Sequence, residues 1–170
     1  IGGVFFGIAF LFFRSFADKS VRDASQLRML TDGAIFTQLR TPGFLLRHTS
    51  PLTVAKENPL GPLSESVRSL RSHLMLSMTK EKEAGTVVSV VSTRTDCGKT
   101  TTSLLLARSL AQMKVSCVVV DTDLRRGSIS SVLGLPSQPD VIDVLTGKTP
   151  LKEAIRNDPG SDAQVLTARS

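Results

Sequence analysis

Val87-Val88-Ser89-Val90-Val91-Ser92-Thr93-Arg94-Thr95-Asp96-Cys97-Gly98-Lys99-Thr100-Thr101 is the stretch that decides the fold. Its valine-rich beginning, set behind the turn residue Gly85, has the composition of a buried parallel strand. The polar segment after it closes in Gly98-Lys99-Thr100, the ending of a P-loop. Glycine lets the backbone approach phosphate there, lysine reaches the β and γ oxygens, and the threonine hydroxyl can bind magnesium. Leu104, Leu105, Leu106, Ala107, Leu110 and Ala111 predict an apolar helix over Lys99–Met113, whose first amides and dipole favour the same anion. The strict spacing asks for glycine where the chain has Thr93, and Gly-Lys-Thr alone is a common tripeptide. The strand before it and the helix behind it carry the nucleotide reading. The candidate nucleotide-binding residues are Ser92, Thr95, Asp96, Cys97, Gly98, Lys99, Thr100 and Thr101, with ATP and Mg²⁺ as the expected ligands.

A second strand is expected over Val115–Val120, ending in Asp121-Thr122-Asp123-Leu124-Arg125-Arg126. Open α/β sheets place their ligands at the carboxyl ends of such strands. Alternation puts Asp121 and Asp123 on one side. Two carboxylates there can hold magnesium, and one can orient or deprotonate an attacking hydroxyl. The plainer alternative is that Asp123 caps a turn and Asp121 hydrogen-bonds the loop.

These motifs resemble those of the bacterial tyrosine kinases that form the cytoplasmic half of polysaccharide co-polymerases in capsule and exopolysaccharide export. Ser92 through Thr101 looks like that family's first nucleotide motif, and Val118 through Arg126 like its second, modified one. Ser131-Val132-Leu133-Gly134-Leu135 and Val141-Ile142-Asp143-Val144-Leu145-Thr146-Gly147 resemble the family's next short helices. Glu65-Ser66-Val67-Arg68-Ser69-Leu70-Arg71 fits the family's Glu-x-x-Arg-x-x-Arg helix, which in relatives packs on the next subunit of a ring. On one helix flank Glu65 can brace Arg68 while Arg71 stays free for a partner; Leu63, Val67, Leu70 and Leu74 form the core-facing stripe. The resemblance implies an ATP-dependent tyrosine autokinase with Lys99, Asp121 and Asp123 as catalytic residues and Thr100, Asp121 and Asp123 as magnesium ligands. It also implies a homo-oligomeric ring with Glu65, Arg68 and Arg71 at the interface, trans-phosphorylation of neighbouring chains, and work with polysaccharide export machinery.

Residues 1–13 carry no charge and are rich in Phe, Gly and Ile. They would span only about 20 Å of a core about 30 Å thick. The stretch therefore reads as the end of a transmembrane helix (1–16), and Arg14, Lys19 and Arg22 put the chain beyond it in the cytoplasm, beneath a bacterial inner membrane. A juxtamembrane segment and linker are expected over 17–60, the latter marked by Pro42, Pro51, Pro59 and Pro62, and the N-terminal part of a P-loop kinase domain over 61–170. The expected fold is α/β: a P-loop NTPase-like parallel sheet, incomplete at the C-terminus, behind the end of a membrane helix.

The net charge of +6 comes without a dense Lys/Arg cluster, which suits an anionic membrane surface better than nucleic acid. Two cysteines make neither a disulfide framework nor a zinc site. Asp96 and Cys97 stand where the family usually has glycine and an acidic residue. The chain contains no tyrosine and no later apolar strand closing in aspartate, so the resemblance implies a reading frame that continues past Ser170. Two other readings share these motifs: a non-catalytic nucleotide-binding chain-length regulator, and a partition or cell-division ATPase, which would carry lysine in place of Arg94.

Overall fold

In the computed structural model the described residues are 37–39, 49–77 and 85–169. The expected membrane helix and juxtamembrane segment therefore lie outside them, and no described helix is long and apolar enough to cross a membrane. The element order is α1 (Pro51–Glu57), α2 (Pro62–Ser77), α3 (Lys99–Gln112), β1 (Val118–Val120), α4 (Ser128–Leu133), α5 (Val141–Leu145), α6 (Leu151–Ala154), β2 (Arg156–Asn157) and β3 (Gln164–Leu166).

α3 is the central beam. Leu104, Leu105, Leu106 and Ala107 are buried in succession, so the helix is covered on more than one side. α1 and α2 pack on it from one direction and β1 from another. The main core joins Leu104 and Leu105 to Leu52 of α1, Leu63 and Val67 of α2, Ile129 of α4 and Val165 of β3. Leu70 and Leu74, expected on the same stripe, are half-buried. Both α1 and α2 open with proline, whose fixed φ and missing N–H suit the first helical position. This corrects the linker expectation: Pro51 starts a helix instead of breaking one, and it brings Leu52 into the core.

The sheet has strand order β1-β3-β2. β1 and β3 run parallel, Val119 opposite Val165, and β2 pairs antiparallel with β3. The sheet is thus mixed, and its parallel pair joins β1 to β3, a strand that the sequence reading did not assign. Residues 85–92 form no strand, contrary to the sequence expectation. Val87 and Val91 are 88% and 85% exposed, and valines acquire strand structure from packing that is not present around them. The second strand is shorter than expected, Val118–Val120 rather than Val115–Val120.

Two arginine clamps tie α3 down. Arg71 of α2 donates from Nη1 to both the carbonyl and the hydroxyl oxygen of Ser109, at 2.9 Å each. It is therefore not free, contrary to the sequence expectation, because at i+6 from Glu65 it faces α3. Arg108 makes a two-point contact with Asp158 at 2.6 and 2.8 Å. Asp158 also accepts the Gly160 amide and the Ser161 hydroxyl. A Cβ at Gly160 would lie 2.6 Å from the Arg108 guanidinium carbon, so a larger residue there would push the guanidinium from its place.

Burial raises the Asp158 pKa, but the Arg108 hydrogen bonds, the Gly160 amide and the Ser161 hydroxyl outweigh it and hold the carboxyl below its ordinary value. A depressed folded pKa contributes stability that is present above the unfolded value of about 4 and lost as pH falls through the folded one. Asp158→Ala should cost about 3–5 kcal/mol, because it strands a mostly buried guanidinium. Urea unfolding at pH 7 measures that loss, and the gap between wild type and variant should narrow as the titration is moved below about pH 4.

Candidate nucleotide site

The loop before α3 turns on two left-handed residues, Asp96 at φ 57° and Gly98 at φ 76°. Aspartate tolerates that region better than most side chains, and glycine adopts it freely. Gly98 is the N-cap of α3 and brings no side chain to its first turn. The Lys99 ammonium donates to Ser92 Oγ at 3.3 Å, while the Ser92 hydroxyl donates to the Arg94 carbonyl at 2.7 Å. Lysine and serine thus close the loop from its two ends. Thr95, Asp96 and Cys97 are exposed, and with Gly98 through Thr101 they line a cleft of about 400 Å³. Asp96 borders that cleft, so its carboxylate opposes an incoming phosphate and partly offsets Lys99.

The opposite wall is the segment after β1. Asp121 continues the pairing with β3, its amide donating to the Leu166 carbonyl at 2.9 Å. Its carboxylate is buried, with Oδ1 accepting the Asp123 amide at 3.1 Å and Oδ2 accepting the amides of Ser128 and Ile129 at 2.9 and 3.1 Å. Those last two are first-turn amides of α4, so Asp121 caps that helix from seven residues upstream. Asp123 is exposed, and its Oδ1 accepts the amides of Arg125 and Arg126. Both aspartates line the cleft, as expected, while each also performs the loop-ordering task that was the plainer alternative.

Sequence reading missed Ser128. Its hydroxyl lies 2.6 Å from Thr100 Oγ1, joining the phosphate loop directly to the second motif. The expected helix began at Ser131, so the residue fell in an unassigned gap. The dipeptide Gly127-Ser128 was the available signal: Gly127 is buried, and a Cβ there would lie 2.4 Å from the Ala168 carbonyl oxygen. Arg126 also lines the cleft and was not singled out.

Among the described residues no group of three or more His, Cys, Asp or Glu side chains could hold a metal unaided. The donor set Thr100, Asp121 and Asp123 fits magnesium, a hard cation that takes one or two protein carboxylates and completes its shell from phosphate and water. Glu65 and Arg68 stand apart on α2, paired at 2.5 Å, with Arg68 also donating to the Pro59 carbonyl. Arg68 lines a second cleft of about 360 Å³ between α1, α2 and α3, which shares no residue with the phosphate loop.

The two cysteines offer a probe of this geometry. Cys97 is exposed beside Lys99, whereas burial pushes the Cys117 thiol up and its Sγ donates to the Ala107 carbonyl at 3.5 Å. Alkylation by iodoacetamide at pH 7.5 should be on the order of tenfold faster at Cys97. ATP should slow it there and leave Cys117 unaffected, as peptide mass spectrometry would read; equal slowing at both sites would place the nucleotide elsewhere.

Comparison with known proteins supports the P-loop geometry. Residues 88–149 match the CobQ/CobB/MinD/ParA nucleotide binding domain. The tyrosine-protein kinase Etk of Escherichia coli K12 is 28% identical over 114 residues, covering 67% of this chain and 15% of that protein. The tyrosine-protein kinase Ptk of Acinetobacter johnsonii is 24% identical over 91% of this chain and 22% of its own length. The putative tyrosine-protein kinase CapB of Staphylococcus aureus is 28% identical over 70% of this chain and 51% of its own. The chain therefore spans between 15% and 51% of the length of these curated relatives. Among solved structures, the kinase domain of E. coli Etk superposes with a TM-score of 0.77 at 23% identity, covering 88% of this chain and 61% of that one. The BceF tyrosine kinase domain superposes with a TM-score of 0.75 at 19% identity, covering 89% and 64%. The chain is similar to bacterial tyrosine kinases and carries the P-loop fold of their kinase domains.

Proposed function

We propose that this chain supplies the ATP-binding part of a protein-tyrosine autokinase that regulates polymerisation and export of a capsular or extracellular polysaccharide. The observation that carries the reading is the meeting, in one cleft, of Lys99 and Thr100 at the start of α3 with Asp121 and Asp123 after β1. Phosphoryl transfer depends mostly on positioning and charge neutralisation, and these are the groups that provide both. Lys99 would stabilise the charge on the migrating γ-phosphoryl. Thr100 and Asp123 would hold magnesium, which when bound neutralises phosphate charge. Asp121, already fixed by three amides, would orient or deprotonate the acceptor hydroxyl. The names of Etk, Ptk and CapB as tyrosine kinases support carrying that activity over.

The 170 residues hold no tyrosine, so the acceptor is external to them. A neighbouring subunit of a ring would provide it, with the exposed Glu65 and its ion-pair partner Arg68 on α2 as interface residues. The uncharged run over residues 1–13, with Arg14, Lys19 and Arg22 behind it, supports a membrane helix that leaves the kinase on the cytoplasmic side of a bacterial inner membrane. A non-catalytic nucleotide-binding regulator is the second reading, favoured by one observation: both Asp121 oxygens already serve backbone amides.

Lys99→Met should weaken ATP binding by roughly tenfold to a hundredfold, the value of a charge-assisted contact, in a folded protein. Wild-type affinity in that variant, measured by calorimetry, would exclude the P-loop assignment. In the full-length protein Asp121→Asn, which keeps one acceptor oxygen and so also loosens either the Asp123 turn or the start of α4, should cut phosphotyrosine formation by on the order of a hundredfold or more while weakening ATP binding far less, measured where circular dichroism shows the variant folded. Full-length wild-type protein that binds ATP with magnesium and forms no phosphotyrosine would select the regulator.

A further inference from the structure

Thr100 and Ser128 are 28 positions apart, yet their hydroxyl oxygens lie 2.6 Å from each other inside the cleft. Neither partner is free to drift. Thr100 is in the first turn of α3, and Ser128 opens α4 with its amide on Asp121 Oδ2 at 2.9 Å. Behind Ser128, Gly127 is pressed against the Ala168 carbonyl so closely that no side chain fits. The contact is thus held from both sides by backbone rather than formed by two loose side chains.

A threonine hydroxyl has one proton and two lone pairs. To ligate a hard cation it must turn a lone pair to the metal and send its proton elsewhere. Ser128 Oγ lies at hydrogen-bond distance and can accept that proton, either hydroxyl of the pair being able to donate, and it is placed on the segment that also carries the two aspartates. We propose that Ser128 is a positioning residue of the magnesium site, accepting the Thr100 proton so that a Thr100 lone pair is presented to the cation. The Ser128 proton is then left to donate into the cleft. Outer hydrogen-bond partners of this kind orient ligands and tune metal affinity. The inference rests on the nucleotide reading above and adds a residue outside both motif patterns.

The test measures how much magnesium tightens binding of a fluorescent ATP analogue to the full-length protein. The readout is the ratio of affinity in saturating magnesium to affinity in EDTA. Ser128→Ala should lower that ratio by roughly tenfold, and Ser128→Thr, which keeps an acceptor hydroxyl, should restore most of it. A purely structural role, acting through α4, would weaken both affinities together and leave the ratio unchanged; an unchanged ratio overturns the proposal. If Ser128→Ala does not fold, Ser128→Cys, similar in volume and a weaker acceptor, is read in the same way. Wild-type protein that binds no analogue in either condition would instead overturn the nucleotide reading itself.

Discussion

The carboxylate of Asp121 accepts the amides of Asp123, Ser128 and Ile129 while its own amide continues the pairing with β3. Four pieces of chain converge there: the end of β1, the neighbouring strand, the turn through Asp123, and the start of α4. A buried charge without such partners would cost several kcal/mol. With them it becomes the fixed point from which the rest of the second wall is measured. Asp123 takes its place in the cleft because its amide is held, and Ser128 reaches Thr100 because its amide is held.

α3 transmits that order along the domain. Its first turn lies in the cleft, and its far half is tied by Arg71 through Ser109 and by Arg108 to Asp158. Helices are stiff on this scale, and interiors transmit strain. The two arginines hold the far half of the same helix whose first turn lines the cleft. Arg71 illustrates how one residue's reading changes with packing: a helical wheel alone leaves it facing outward, and the position of α3 decides otherwise.

Much of the site was legible in the sequence because its chemistry is local. Gly98-Lys99-Thr100 sits at the head of an apolar helix, Asp121 and Asp123 come directly after a valine strand, and the ends of these two elements line one cleft. What was illegible depends on distant contacts. Val87–Val91 has a strand composition but gains strand structure only from neighbours that pack and pair with it. Pro51 reads equally as a linker or as a helix start until Leu52 finds its place against α3. Ser128 carries no motif at all, and only the fold brings it to Thr100.

Gly98 ends the loop in the left-handed region without offering a cap to the helix it introduces. Even asparagine, which tolerates that conformation, would be held outside the extended geometry from which a capping side chain reaches the first turn. A side chain there would also project at the border of the cleft that Gly98 lines. The start of α3 is therefore left bare by the backbone itself: its first-turn residues line the cleft with no side chain from the capping position over their amides, so whatever enters the cleft, water or anion, meets those amides directly.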